Sequence, residues 1–165
     1  MNNTFDKRSL IALAVAFVLC FGAAALGGFF TGPVTSEPNG WFALLAKPSW
    51  NPPSWLFGPV WSLLFGMMAV SGWLVWSRTS GKERTAPAIF FGVQLALNVL
   101  WSALFFGLKR PDLAALEIGA LWLAILGTIL VFRRYSTPAA WLLVPYLLWV
   151  SFATALNITI WQLNA

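Results

Sequence analysis

Histidine is absent from these 165 residues, cysteine occurs once, and aspartate and glutamate together number five. Each shortage excludes a class of chemistry. Metal sites are built from imidazole, thiolate and carboxylate groups gathered in sets, so no metal centre and no resident cofactor are expected. Ser–His and Cys–His nucleophilic pairs cannot be assembled without histidine. The single thiol, Cys20, cannot form an intramolecular disulfide. Charge is also scarce. Asp, Glu, Lys and Arg make up 9% of the chain, against about a quarter in an ordinary soluble domain. A chain this poor in charge cannot coat itself for water, and with 59% hydrophobic residues its natural solvent is lipid. The formal charge of +5 comes from small basic clusters between apolar runs. That pattern reports membrane topology and argues against nucleic acid as a partner.

Five apolar runs are long enough to cross a bilayer, which takes about 20 residues per helix. They cover 10–30, 55–76, 88–108, 113–132 and 139–163, and Glu117 alone interrupts the fourth. The expected fold is all-α, a five-transmembrane-helix bundle forming one domain over 1–165, with a Trp- and Pro-rich loop at 31–54. The first run exceeds the 7–15 residues typical of a signal-peptide core and is expected to remain as a span. Lys7, Arg8, Arg78, Lys82, Arg84, Arg133 and Arg134 fall on one side of the bundle, and Lys47, Lys109 and Arg110 on the other. Basic residues stay cytoplasmic. The N-terminus is therefore expected inside, and the loop and C-terminus outside, in an integral multi-pass protein of a bacterial inner membrane.

The segment 41–61, WFALLAKPSWNPPSWLFGPVW, is the most distinctive. Trp41, Trp50, Trp55 and Trp61 bring rings suited to the membrane–water boundary. Pro48, Pro52 and Pro53 forbid a regular helix through the loop. The segment reads as a rigid aromatic lid, which suits a flat apolar guest. In the third run Gln94, Asn98 and Ser102 form a polar face, and amides in hydrocarbon need partners. They point into the bundle, toward other helices or a ligand. Ala88, Gly92 and Ala96 lie about 160° away at each level. That small-residue face points outward and suits contact with a second subunit in a homodimer. The first run carries Ala12, Ala16, Cys20, Ala24, Gly28 and Gly32 at intervals of four, read as packing inside the bundle. In the fifth, Ser151, Thr154 and Asn157 make a second polar face, of which Asn157 alone demands a partner. Pro111 and Asp112 make a good helix start. Glu117 is expected to snorkel or to be ion-paired.

Several motifs in one order resemble the translocator protein family, also called the TspO or tryptophan-rich sensory protein family, over nearly the whole chain. Trp41-Phe42-x-x-Leu45-x-Lys47-Pro48-Ser49-Trp50-x-Pro52-Pro53 is similar to the family's first loop, and Trp55-x-x-Gly58-Pro59-Val60-Trp61 to its second helix start. Gln94-Leu95-Ala96-Leu97-Asn98-x-x-Trp101 with Phe105-Phe106-Gly107 is similar to its third helix. Pro145-Tyr146-x-x-Trp149 with Ala153-Thr154-x-Leu156-Asn157 is similar to its fifth. The resemblance implies a porphyrin ligand such as protoporphyrin IX, held between the helices under the loop. It implies lid residues Trp41 and Trp50, and pocket residues Trp61, Asn98, Trp101, Trp149, Ala153 and Asn157. Gln94 joins them on the polar face, and Lys47 is positioned to meet a porphyrin propionate. The animal sterol motif is not matched, because Ile158, Thr159 and Gln162 stand where its tyrosine and arginine would fall. With no histidine to ligate haem iron, metal-free porphyrin is the better guest. Sensing, transport or scavenging of tetrapyrroles is the leading expectation. The alternatives are light-driven porphyrin breakdown through Trp61 and Trp149, and secondary transport.

Overall fold

The computed structural model describes residues 7–165. The extreme N-terminus, whose side of the membrane the basic clusters predict, lies outside them. Helices α1 (Lys7–Ser36), α3 (Ser54–Trp76), α4 (Thr85–Ser102), α5 (Pro111–Arg133) and the pair α6 (Thr137–Leu142) and α7 (Val144–Leu163) build the bundle. A single turn, α2 (Trp41–Leu44), lies in the loop, and no strand occurs among the described residues. Five helical segments are long and apolar enough to span a membrane. Their outer faces present Val18, Leu63, Leu116 and Leu148. The core gathers Leu64, Met68, Leu121, Ile125, Tyr146 and Val150 from three helices.

Neighbouring helices are pinned by polar bonds as well as packing. Trp73 Nε1 donates to the Ser9 hydroxyl at 3.0 Å, tying α3 to α1. The Ser71 hydroxyl donates to the Ala139 carbonyl at 2.7 Å, tying α3 to α6. The Thr128 hydroxyl reaches the Phe90 carbonyl at 3.2 Å between α5 and α4, and Trp122 Nε1 donates to Ser151 at 2.8 Å between α5 and α7. Each bond satisfies a group that hydrocarbon would leave bare.

The structure departs from the sequence reading at three boundaries and on one helix face. The first helix continues to Ser36 despite Pro33. The hydroxyls of Thr31, Thr35 and Ser36 bond to carbonyls one turn back, and Ser36 also reaches the Pro33 carbonyl at 3.3 Å, one of those that the helix end leaves without an N–H. The lid is accordingly shorter than 31–54, running 37–53. The fifth run is broken at Leu143, because Pro145 has no N–H to give the Trp141 carbonyl. α4 ends in a wide π turn over Ala103–Gly107, with Leu108 N bonded to the Ala103 carbonyl at 2.8 Å. Lys109 then reverses the chain with φ +54°. Last, the interval-of-four stripe on α1 does not stay on one face. Four residues turn a helix by about 400°, a drift of about 40° per step. Ala16 and Cys20 are buried, but Gly28 and Gly32 are exposed. Gly27 is the glycine that meets α4, where an added Cβ would lie 3.2 Å from the Ser102 Oγ.

Glu117 also differs from expectation. Arg110–Asp112 is the single ion pair among the described residues, at 2.6 Å. Glu117 falls on the core stripe of α5 between Ala114 and Leu121, and both its carboxyl oxygens are buried without a partner. It neither snorkels nor pairs, because its place on the helix turns it inward.

Gly27→Val should destabilise the bundle by about 1–3 kcal/mol, the usual range for overpacking. Gly28→Val, one residue on and free of neighbours, should cost much less. Thermal unfolding in detergent micelles measures the difference.

Candidate ligand cavity

A cavity of about 530 Å³ lies between α1, α3, α4 and α7 beneath the lid. Its size falls within the roughly 300–1,000 Å³ of small-molecule sites. Of the residues expected to bind ligand, Trp61, Asn98, Trp101, Trp149, Ala153 and Asn157 line it together. Helical spacing explains the grouping. Trp149, Ala153, Leu156 and Ile160 recur every three or four residues on one face of α7, and Asn98 and Trp101 do the same on α4. The π turn then adds Phe105 and Phe106, which stack on or against Trp101 at centroid distances of 5.3 and 5.9 Å.

The polar residues serve the walls. Trp101 Nε1 donates to Asn157 Oδ1 at 3.0 Å, and Asn157 Nδ2 donates to the Pro111 carbonyl at 2.8 Å. One side chain thus joins α4, α7 and α5. Asn98 Nδ2 donates to the Tyr146 hydroxyl at 3.0 Å, a second α4–α7 tie. This leaves Asn98 Oδ1 as an acceptor at the cavity wall. Thr31, Thr35, Ser36, Asn51, Ser54 and Ser62 make the lid end of the cavity richer in hydroxyl and amide groups. No acid, base or thiol lines it among the described residues.

Four of the expected residues lie elsewhere. Gln94 is 1% exposed, outside the cavity lining, and both its amide atoms lack a partner. Trp41 and Trp50 reach the cavity through other rings. Trp41 stands edge-on to Phe105 at 6.0 Å, and Trp50 edge-on to Phe152 at 5.8 Å. Lys47 folds back on the lid. Its ammonium donates to the carbonyls of Phe42 and Leu45 and sits 4.6 Å from the Phe42 ring centre. Burial there lowers its pKa from the ordinary lysine value. The lid is fastened to the end of α7 by a reciprocal pair: Ala46 N donates to Asn164 Oδ1 and Asn164 Nδ2 donates to the Ala46 carbonyl, both at 2.9 Å.

The sequence reading overlooked Phe57, Phe105, Phe106 and Phe152 as wall residues. Three were legible: Phe105 follows Trp101 by four residues, Phe57 precedes Trp61 by four, and Phe152 follows Trp149 by three. Phe106 depends on the π turn, which propensity does not signal. The outward face of Ala88, Gly92 and Ala96 is exposed, and nothing lies within 4 Å of a Cβ built on Gly92.

Residues 14–162 match the TspO/MBR family. The chain is 44% identical to the tryptophan-rich protein TspO of Chlorobaculum tepidum, over 96% of this chain and 99% of that one. It is 38% identical to protein CrtK of Rhodobacter capsulatus over 94% of each chain. It is also 38% identical to the translocator protein of Ovis aries, over 92% of this chain and 89% of that one. Five apolar helices, a Trp-rich lid over an aromatic cavity and relatives matched end to end lead to one assignment: the chain is a multi-pass integral membrane protein of the TspO/MBR family.

Proposed function

We propose that the cavity binds protoporphyrin IX or a related metal-free tetrapyrrole, for tetrapyrrole sensing, transport or scavenging. The observation that carries this reading is the wall itself: indole and phenyl rings on several sides of a space of about 530 Å³, with no titratable group lining it among the described residues. Stacked rings favour a flat π guest by roughly 0.5–1.5 kcal/mol per pair beyond area burial. Asn98 Oδ1 offers one oriented acceptor, suited to a pyrrole N–H. The hydroxyl-rich lid end suits the guest's polar edge. Lys47 reaches a propionate only by leaving its own lid carbonyls.

Fluorescence titration of the purified protein with protoporphyrin IX tests the reading. Trp149→Ala removes a large wall contact and should weaken binding by about 2 kcal/mol, roughly thirty-fold. Trp149→Phe keeps a ring and should lose much less. Undiminished quenching in a well-folded Trp149→Ala would move the site elsewhere.

The exposed Ala88, Gly92 and Ala96 face supports a homodimer seam, since small residues let helices approach closely in lipid. Gly92→Leu should convert dimer to monomer in detergent while sparing ligand binding, as read by light scattering. An unchanged mass would remove the seam from α4.

The seven-to-three basic asymmetry supports a cytoplasmic N-terminus and an outside C-terminus in a bacterial inner membrane. A C-terminal reporter active only in the cytoplasm should be silent. Strong activity would invert the topology.

A further inference from the structure

Two neighbouring pairs around the cavity, α1 with α4 and α3 with α7, carry no polar bond among the described residues; α1 packs closely on α4, whereas α3 and α7 do not pack closely on each other. α3 packs on α1 and α6, and α7 packs on α5 and α6. Polar bonds pin α1 to α3, α3 to α6, α4 to α5, α5 to α7 and α4 to α7. No hydrogen bond or ion pair crosses from α3 to α7 among the described residues. Ring contacts join them instead: Phe57 stands edge-on to Trp149 at 5.9 Å and Trp61 edge-on to Tyr146 at 6.1 Å.

A second hollow, of about 380 Å³, lies on this seam. Its lining is wholly apolar and comes from α3 (Val60, Leu63, Leu64) and α7 (Pro145, Leu148, with Trp149 and Phe152). Leu63 and Leu148 are each 64% exposed, on the outer surface of membrane-spanning helices, so this hollow opens to acyl chains. Trp149 and Phe152 line both hollows. The partition between bilayer and cavity at this seam therefore consists of side chains, which change rotamer without moving backbone. The break at Leu143 and the missing N–H of Pro145 interrupt the backbone ladder between α6 and α7 beside it. The lid, by contrast, is fastened to the bundle by Asn164 and by Trp41 and Phe42 against Phe105.

We propose that the α3–α7 seam is a lateral portal, with Trp149 and Phe152 as its gate, through which a planar apolar ligand passes between the bilayer and the cavity. This rests on the cavity reading above and adds its route. The outer hollow is the vestibule, and its occupant is the ligand in transit, because the lining is apolar and continuous with the cavity wall. A portal lies on the path in both directions, so narrowing it slows association and dissociation alike and leaves the equilibrium unmoved. A wall residue that only holds the site would change affinity instead.

Stopped-flow tryptophan quenching by protoporphyrin IX, with the full chain in lipid nanodiscs, separates these outcomes. Leu148→Trp fills the vestibule from a position outside the cavity lining. It should slow both rates by about tenfold, the effect of a modest added barrier, with Kd unchanged. Leu63→Trp, on the facing helix, should do the same. Asn164→Ala, which unfastens the lid, should leave both rates as they are. If the two tryptophan variants exchange ligand at the parent's rates, whether or not Asn164→Ala speeds exchange, ligand passes under the lid and the portal is wrong. Absence of saturable quenching in the parent would instead overturn the porphyrin reading itself, and the portal with it.

Discussion

The bundle depends on the rule that a polar group in hydrocarbon must find its partner within the protein. Asn157 meets that rule most economically. Its amide takes a hydrogen from the Trp101 indole on α4 and gives one to the backbone at the start of α5. Three helices are held at one level by one side chain, and the cavity is the space that this junction and the Asn98–Tyr146 bond leave open beside them. The indole of Trp101, fixed by its N–H, keeps its ring face on Phe105. Polar chemistry positions the walls, and π surface forms them.

Not every polar group obeys the rule. Gln94 and Glu117 are buried with unpaired atoms, at a cost of roughly 1–3 kcal/mol for each neutral group left bare. Neither lines the cavity. With Asn51 Oδ1 in the lid, theirs are the buried polar side-chain atoms left bare among the described residues.

Spans, lid and most of the cavity were legible in the sequence because each follows from periodicity or a single residue's chemistry. Apolar runs of about 20 residues give helices, and recurrence at three and four gives faces. What was not legible depended on competition between neighbours. The first apolar run ends at residue 30, yet the helix continues through Pro33 to Ser36. A stripe at strict intervals of four reads as one face, yet helical drift hands the contact from Gly28 to Gly27. Lys47 reads as a cation for a ligand acid, yet the nearest acceptors are carbonyls of its own loop. Its charge is spent where the chain is closest, which sequence order does not reveal.

The asparagines on α7 have a consequence for how this protein can vary. Asn157 binds α4 and α5, and Asn164 binds the lid. They are seven residues apart, close to two full turns, so both fastenings lie on nearly one line along the helix. α7 works as a ruler: it fixes the height and bearing of the lid relative to the three-helix junction at Asn157. Substitutions between the two marks leave the ruler intact. One inserted residue would swing Asn164 by about 100° and shift it by about 1.5 Å, and the lid would lose its hold while every cavity side chain stayed in the sequence. Between 157 and 164, the length of the chain is therefore more constrained than its composition.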